Sequence, residues 1–375
     1  MNRSLVRPTL ALAAVAGLAL FASACGSSSG DDARAGAKTM AFELTDAGCV
    51  PNEAKAPAGP IVFEVENTGT SNVNEFEVLD GDTILGEVEN LSEGFSGTFS
   101  LTLEAGEYTL YCPGGEDERG ALTVSGDAKA KGNPQAEAAV SSYRAYLEEN
   151  TAALVAATEP FVAAVEAGEV EQAKSLYAPA RIPYERIEPV AESFGDLDPR
   201  IDARENDVPK SEWSGFHPIE QALWVDDTTA GMTPVAKQLQ ADVEELQERA
   251  KTVELEPAQI ANGANELLGE VSASKITGEE ERYSHTDLVD FEANVEGSEA
   301  AFKAVEPIVA SADRELEEEI EEGFEAVYAA LDPYRQGDEF VAYTQLSRAD
   351  TRQLAQKIDA LAEELSQVPA LIVSE

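Results

Sequence analysis

The sequence predicts a two-part fold, a β-sandwich followed by an all-α region, and three observations carry that prediction. Residues 39 to 126 hold short apolar–polar alternations separated by turn residues. From Asn133 to the end the apolar spacing changes to the helical period, and no strand pattern interrupts it. With 375 residues the chain has room for two proper cores.

The segment ahead of the strands reads as an export signal rather than as structure. Arg3 and Arg7 form a positive start, Leu10 to Phe21 an apolar run, and Ala22-Ser23-Ala24 a small-residue cleavage site before Cys25. The run is short for a membrane span. Its end resembles a bacterial lipobox, which implies lipidation of Cys25 and a lipid anchor on the outer face of the cytoplasmic membrane. Ala22 stands where a lipobox usually has Leu, so ordinary signal-peptidase cleavage is the alternative. Residues 26 to 38, rich in Gly, Ser and Asp, have the composition of a flexible tether.

Strands are expected at Thr39 to Leu44, Ile61 to Glu66, Asn74 to Leu79, Phe95 to Leu103, Tyr108 to Cys112 and Ala121 to Val124. Ala58-Gly59-Pro60, Gly81-Asp82 and Ala105-Gly106 part them. So many short runs in so few residues suggest two packed sheets. The chemistry available here is Cys49, Cys112, Glu75 and Glu77. Two cysteines of an exported protein most often pair; the alternative is a second metal site of thiolate and carboxylate. Glu75 and Glu77 share one strand face, which is either a ligand pair or a solvated surface.

In the helical region Val140, Tyr143, Leu147, Leu154, Phe161 and Val165 keep helical spacing, with Pro134 near the start and Gly168 at the stop. Further helices are expected at 169–178, 181–194, 216–225, 233–253, 257–275, 286–330 with a break near Pro307, and 345–366. Glu185, Glu188 and Glu192 fall on one face of the 181–194 helix, acidic where an apolar stripe would be usual.

Within Ser214 to Val225 lies one of only two histidines, and His217 stands three residues before Glu220. On a helix the two share a face and can reach one ion, with donor types that suit a borderline or hard metal. The alternative is a capping box, with His217 near the cap and Glu220 reaching back. The other histidine, His285, is either a helix cap or a second site residue, with Glu292 and Glu296 downstream.

A formal charge of −46 repels nucleic acid and attracts cations. Nucleic-acid binding is thereby excluded. The zinc-protease pattern of two histidines one turn apart with a glutamate is absent, since His217 is followed by Pro218. A peptidase is therefore the least favoured reading. A cell-envelope protein for acidic polysaccharide or calcium is a stronger alternative, though sugar contact would need calcium to bridge the charge.

Three runs together carry a family resemblance: YERIEPVAESFGDLD from Tyr184, GFHPIE from Gly215, and YSHTDLVDFEANVEG from Tyr283. They look like the imelysin-like helical domain of the iron-binding component of the bacterial Efe-type iron-uptake system, over roughly Asn133 to Leu365. The runs AGPIVFEVENTG and EAGEYTLYCPG resemble the cupredoxin family, with Cys112 at the position of a late-strand ligand. A blue-copper site also needs two histidines, and none precedes His217.

The resemblance implies a cupredoxin-like β-sandwich over 39–126 and an all-α double bundle over 133–375. It implies a non-enzymatic, extracytoplasmic protein that captures ferrous or ferric iron and delivers it to a membrane iron permease, with a haem-dependent peroxidase as a further companion. Carried over, the metal residues fall on His217 and Glu220, with Glu185, Asp198 and Glu281 as acidic partners. The N-terminal domain is left with copper or a second iron as its metal.

Overall fold

The computed structural model describes residues 37–81, 83–126, 133–337 and 339–374. The expected signal peptide, Cys25 and nearly all of the tether lie outside them. Nine strands come first: β1 (Lys38–Thr45), β2 (Gly48–Val50), β3 (Glu53–Pro57), β4 (Gly59–Asn67), β5 (Phe76–Asp80), β6 (Thr83–Val88), β7 (Ser96–Leu103), β8 (Gly106–Tyr111) and β9 (Arg119–Ser125). They form two sheets, in the orders β2-β1-β4-β7 and β3-β9-β8-β5-β6. β1 runs parallel to β4 and β3 to β9, while the other pairs are antiparallel.

Alternation places Phe42, Phe63, Phe76 and Phe99 in the core between the sheets, where Phe42–Phe76 and Phe63–Phe99 centroids lie 4.7 Å apart. Cys49 and Cys112 are buried in the same core and joined in a disulfide across 63 residues of chain. Of the two readings offered for these cysteines, the structure takes the disulfide, so neither supplies a thiolate in this form.

The expected strand runs all recur, with shifted ends, and Glu75 falls just ahead of β5. β2, β3 and β6 are additions. β3 is an edge strand, EAKAP, with little β-branched or aromatic character and a terminal Pro57, so nothing in its composition announces a strand.

Ten α-helices follow among the described residues: α1 (Pro134–Ala167), α2 (Val170–Glu185), α3 (Leu197–Asp202), α4 (Phe216–Trp224), α5 (Thr233–Ala250), α6 (Pro257–Ala273), α7 (Asp287–Ala312), α8 (Arg314–Leu331), α9 (Arg348–Leu365) and α10 (Val368–Ser374). They enclose two apolar cores. Tyr143, Phe161, Tyr177, Phe216 and Val243 belong to the first, and Leu268, Phe291, Phe324 and Ile358 to the second. This is the expected double bundle, with α7 contributing Ala301 and Ala304 to the first core and Phe291 and Val305 to the second. None of the described helices is long and apolar enough to cross a membrane.

Three expectations need correction. The helix expected over 181–194 is divided: α2 ends at Glu185, and a 3-10 segment, Glu188–Phe194, opens with Pro189 at its start. Proline cannot donate the helical hydrogen bond and restricts the residue before it, which ends the α-turns there. The break expected near Pro307 falls at Asp313 instead, whose carboxylate accepts from the Glu315 and Leu316 amides at 3.1 Å and caps α8. The helical region also contains a small hairpin, Arg335–Gln336 against Glu339–Phe340, too short to leave a readable alternation.

The sandwich and the helices meet through α6 and the 3-10 segment, which pack against β6. Asn262 of α6 behaves as an extra strand partner for β7. Its amide donates to the Ser100 carbonyl at 2.9 Å and its oxygen accepts from the Ser100 amide at 3.3 Å.

Candidate metal centre

His217 is positioned by the start of α4. Gly215 precedes the helix at φ +86°, and a Cβ there would stand 2.0 Å from the Ile201 carbonyl oxygen. Only glycine lets the chain pass that close and turn into α4. The helix then buries His217 to 2% exposure and Glu220 completely. The capping-box reading fails, because α4 has no side-chain cap. Glu220 instead accepts the Tyr283 and Ser284 amides at 2.9 and 2.7 Å through Oε1. Its Oε2 is left facing His217 Nδ1 at 3.3 Å.

Glu281 completes this side: His217, Glu220 and Glu281 place ligand atoms within 4.8 Å of one another. Its carboxylate is held by the Tyr177 hydroxyl at 3.2 Å, the Ser284 hydroxyl at 2.7 Å and Arg181 Nε at 2.6 Å. On the other side of the ring, His217 Nε2 lies 3.5 Å from Asp202 and 3.7 Å from Glu280. Asp202, His217 and Glu280 form a second triad of the same compactness. One imidazole therefore stands between two carboxylate pairs.

This crowd of acids is balanced by Arg181, fully buried and paired with Glu185, Asp202, Glu280 and Glu281. Buried charge of this kind survives only when it is partnered. The balance is incomplete: His217 Nε2 and both oxygens of Asp290, which lies 3.6 Å from Arg181, have no hydrogen-bond partner. Buried polar atoms left bare beside imidazole and carboxylates fit a cation.

The environment also separates the protonation states. Burial opposes the charged form of His217, but the facing carboxylates of Asp202, Glu220 and Glu280 outweigh it and hold the imidazole's pKa well above the usual value. Burial pushes Glu281 well up, and the nearby Glu220 charge adds to it. Burial would raise Glu280 too, yet Lys275, His217, Arg204 and Arg181 together hold it well below the usual range.

Two candidates stand apart. Glu185 is buried against Arg181 and accepts from Asn294 at 2.9 Å, and Asp198 accepts from the Tyr184 hydroxyl. Neither joins a triad with His217 among the described residues. Asp202 and Glu280 take those places. His285 has φ +61° ahead of α7, whose cap position is Thr286, so it is neither cap nor member of these triads. Glu292 pairs with Arg335 and Glu296 with Arg186. In the sandwich, Glu75 and Glu77 do converge, with Glu87 of β6 as a third group within 4.8 Å. Burial, followed by the bond and charge of Glu75, pushes Glu77 up to about 9.

The two layers of strands and the paired bundles define a class, a cupredoxin-like domain joined to an imelysin-type helical domain. Family models agree: a cupredoxin-like domain matches residues 12–124 and imelysin matches residues 139–368. The iron uptake system component EfeO of Escherichia coli strain K12 is 41% identical over 339 residues, 88% of this chain and 90% of the relative. The protein of the same name from Shigella flexneri matches to the same extent. The chain belongs to this imelysin family, in the two-domain form shared with the iron uptake component EfeO.

Proposed function

We propose that the protein is an exported, lipid-anchored component of an iron-uptake system that captures iron at His217 and passes it to a membrane iron permease, with a haem-dependent peroxidase as the companion that changes the iron's oxidation state. The observation that carries this reading is the convergence of His217, Glu220 and Glu281 on one buried point, with Asp202 and Glu280 behind the same ring. Imidazole and carboxylate oxygen are donors that ferrous and ferric ions both accept. Helical bundles commonly build ion sites from such inward-facing groups. Similarity to proteins named as iron uptake components supports iron as the ion. Glu185 and Asp198 act one layer out, through Arg181 and Tyr184.

Titration of the metal-free protein with ferric citrate tests this reading. His217→Ala with Glu220→Ala should remove most iron binding while circular dichroism keeps its helical signal. Glu185→Gln and Asp198→Asn should each cost less than about tenfold, or about 1.4 kcal/mol. Unaltered affinity in the double variant would move the iron site elsewhere.

A further inference from the structure

α7 and α8 pack against one another and are joined at Asp313, where the chain turns back. Glu306 of α7 and Glu317 and Glu321 of α8 bring carboxylate oxygens within 4.8 Å of one another. Glu317 and Glu321 stand one turn apart on α8, a pair of like charges that weakens a helix unless a cation stands against it. None of the three belongs to the His217 centre or to the sandwich.

Lys303, one turn before Glu306 on α7, serves two of the three. Its ammonium lies 2.8 Å from Glu306 Oε2 and donates to Glu321 Oε1. Burial opposes the Lys303 charge, but these two carboxylates outweigh it and hold its pKa well above the usual value. Acids around a lysine would be ordinary surface chemistry, but Glu317 adds a separate observation. It is 5% exposed, and its Oε2 has no hydrogen-bond partner. The one ion-pair partner of that oxygen among the described residues, Arg314 Nη2, lies 3.8 Å away, too far for a hydrogen bond, and Arg314 donates through Nε to Glu318 at 3.2 Å. Burying a carboxylate oxygen without a donor is costly. Lys303 holds the outer two acids and leaves the inner one bare.

We propose that Glu306, Glu317 and Glu321 form a calcium site that clamps α7 to α8, with Lys303 as the cation that stands in until calcium displaces it. All three donors are carboxylate oxygens, which suit a hard divalent ion. Calcium accepts six to eight oxygens at about 2.3 to 2.6 Å in flexible geometry, whereas magnesium demands a near-ideal octahedron. Three oxygens this close can reach that distance from a common point with little side-chain movement. Glu306 and Glu321 are only partly buried, so water can supply the remaining ligands. The expected affinity is that of extracellular calcium modules, with Kd of roughly 0.1 to 1 mM. The proposal is independent of the reading of His217.

The test uses the full chain stripped of metal, with calcium chloride and equilibrium dialysis at about 0.15 M salt, where screening acts within about 8 Å. The variants are the isosteric Glu317→Gln, Lys303→Met, and His217→Ala with Glu220→Ala. Lys237→Met is the control for charge, since Lys237 pairs with Glu166 on another surface at 2.8 Å. Glu317→Gln should weaken one calcium by at least about tenfold. Lys303→Met should bind the same ion more tightly, because its competitor is gone, while Lys237→Met and the His217 variant leave it as in the wild type. Calcium should also raise the thermal midpoint of the wild type more than that of Glu317→Gln. Wild-type calcium binding in Glu317→Gln would overturn the proposal. So would equal tightening by Lys237→Met, which would reduce the effect to net charge, or loss of the ion in the His217 variant, which would place it there. Should Glu317→Gln fail to fold by circular dichroism, Lys303→Met decides alone, and unchanged or weaker binding in it would overturn the site.

Discussion

Glu280 and Glu281 are neighbours in sequence with opposite fates. Lys275, His217, Arg204 and Arg181 hold the first well below the usual carboxylate range, while burial and the Glu220 charge push the second well above it. The pKa of His217 is raised as well, because the carboxylates facing it outweigh burial. An ion at the His217–Glu220–Glu281 point competes with protons for both groups. Since both pKa values are raised, the competition extends to neutral pH, and affinity should rise with pH by about tenfold per unit for each proton displaced. Calorimetry at pH 7 in buffers of different ionisation enthalpy should find at least about one proton released per ion. A buffer-independent heat would show that His217 and Glu281 are not ligands. At this scale the sequence was informative where residue types are rare. One of two histidines points to itself, and Glu281 was a candidate only by its place two residues ahead of the run that opens at Tyr283. Asp202 and Glu280 carry no such mark among 72 acidic residues; only the fold selects them.

α4 performs its task because of how it begins. With Gly215 at φ +86° and the Ile201 carbonyl against it, the helix enters the bundle at the angle that aims His217 toward Glu281. Gly215→Ala should therefore destabilise the protein by roughly 1 to 3 kcal/mol from the left-handed backbone, with more from the clash, and should lower iron affinity as well. Thermal unfolding and titration of the same sample check it; wild-type values in both would mean that α4 can be entered another way. The long helices were legible because their apolar spacing is sustained. The 3-10 segment was read as the end of a helix because the Glu185, Glu188 and Glu192 spacing continues through Pro189, although proline stops the α-turns there. β6 was missed for a physical reason too. Its buried positions are the adjacent Gly86 and Glu87, which do not alternate as a half-buried strand should, and Glu87 lines an interdomain cavity.

For the whole molecule, the division into a two-sheet sandwich and a double bundle could be read from the change of period, and the structure adds how the halves join. Asn262 pairs with β7, and β6 packs on the 3-10 segment, so the acidic cavity belongs to neither half. The Cys49–Cys112 disulfide ties one sheet to the other across 63 residues. Its reduction should lower the sandwich's stability by roughly 2 to 5 kcal/mol while leaving the helical signal intact. Urea unfolding with and without reductant, followed by the near-ultraviolet tyrosine signal for the sandwich, which holds Tyr108 and Tyr111 but no Trp, and by the far-ultraviolet helical signal, checks this. An unchanged midpoint would show that the two sheets hold together without the bond.

Anomalous diffraction at the iron edge, from crystals of the iron-loaded protein, shows whether iron binds at His217. A peak is expected within coordination distance of the His217 ring and the Glu220 carboxylate, at about 2.0 to 2.2 Å for such donors. A strong peak elsewhere, with His217 still ringed by carboxylates alone, would contradict it.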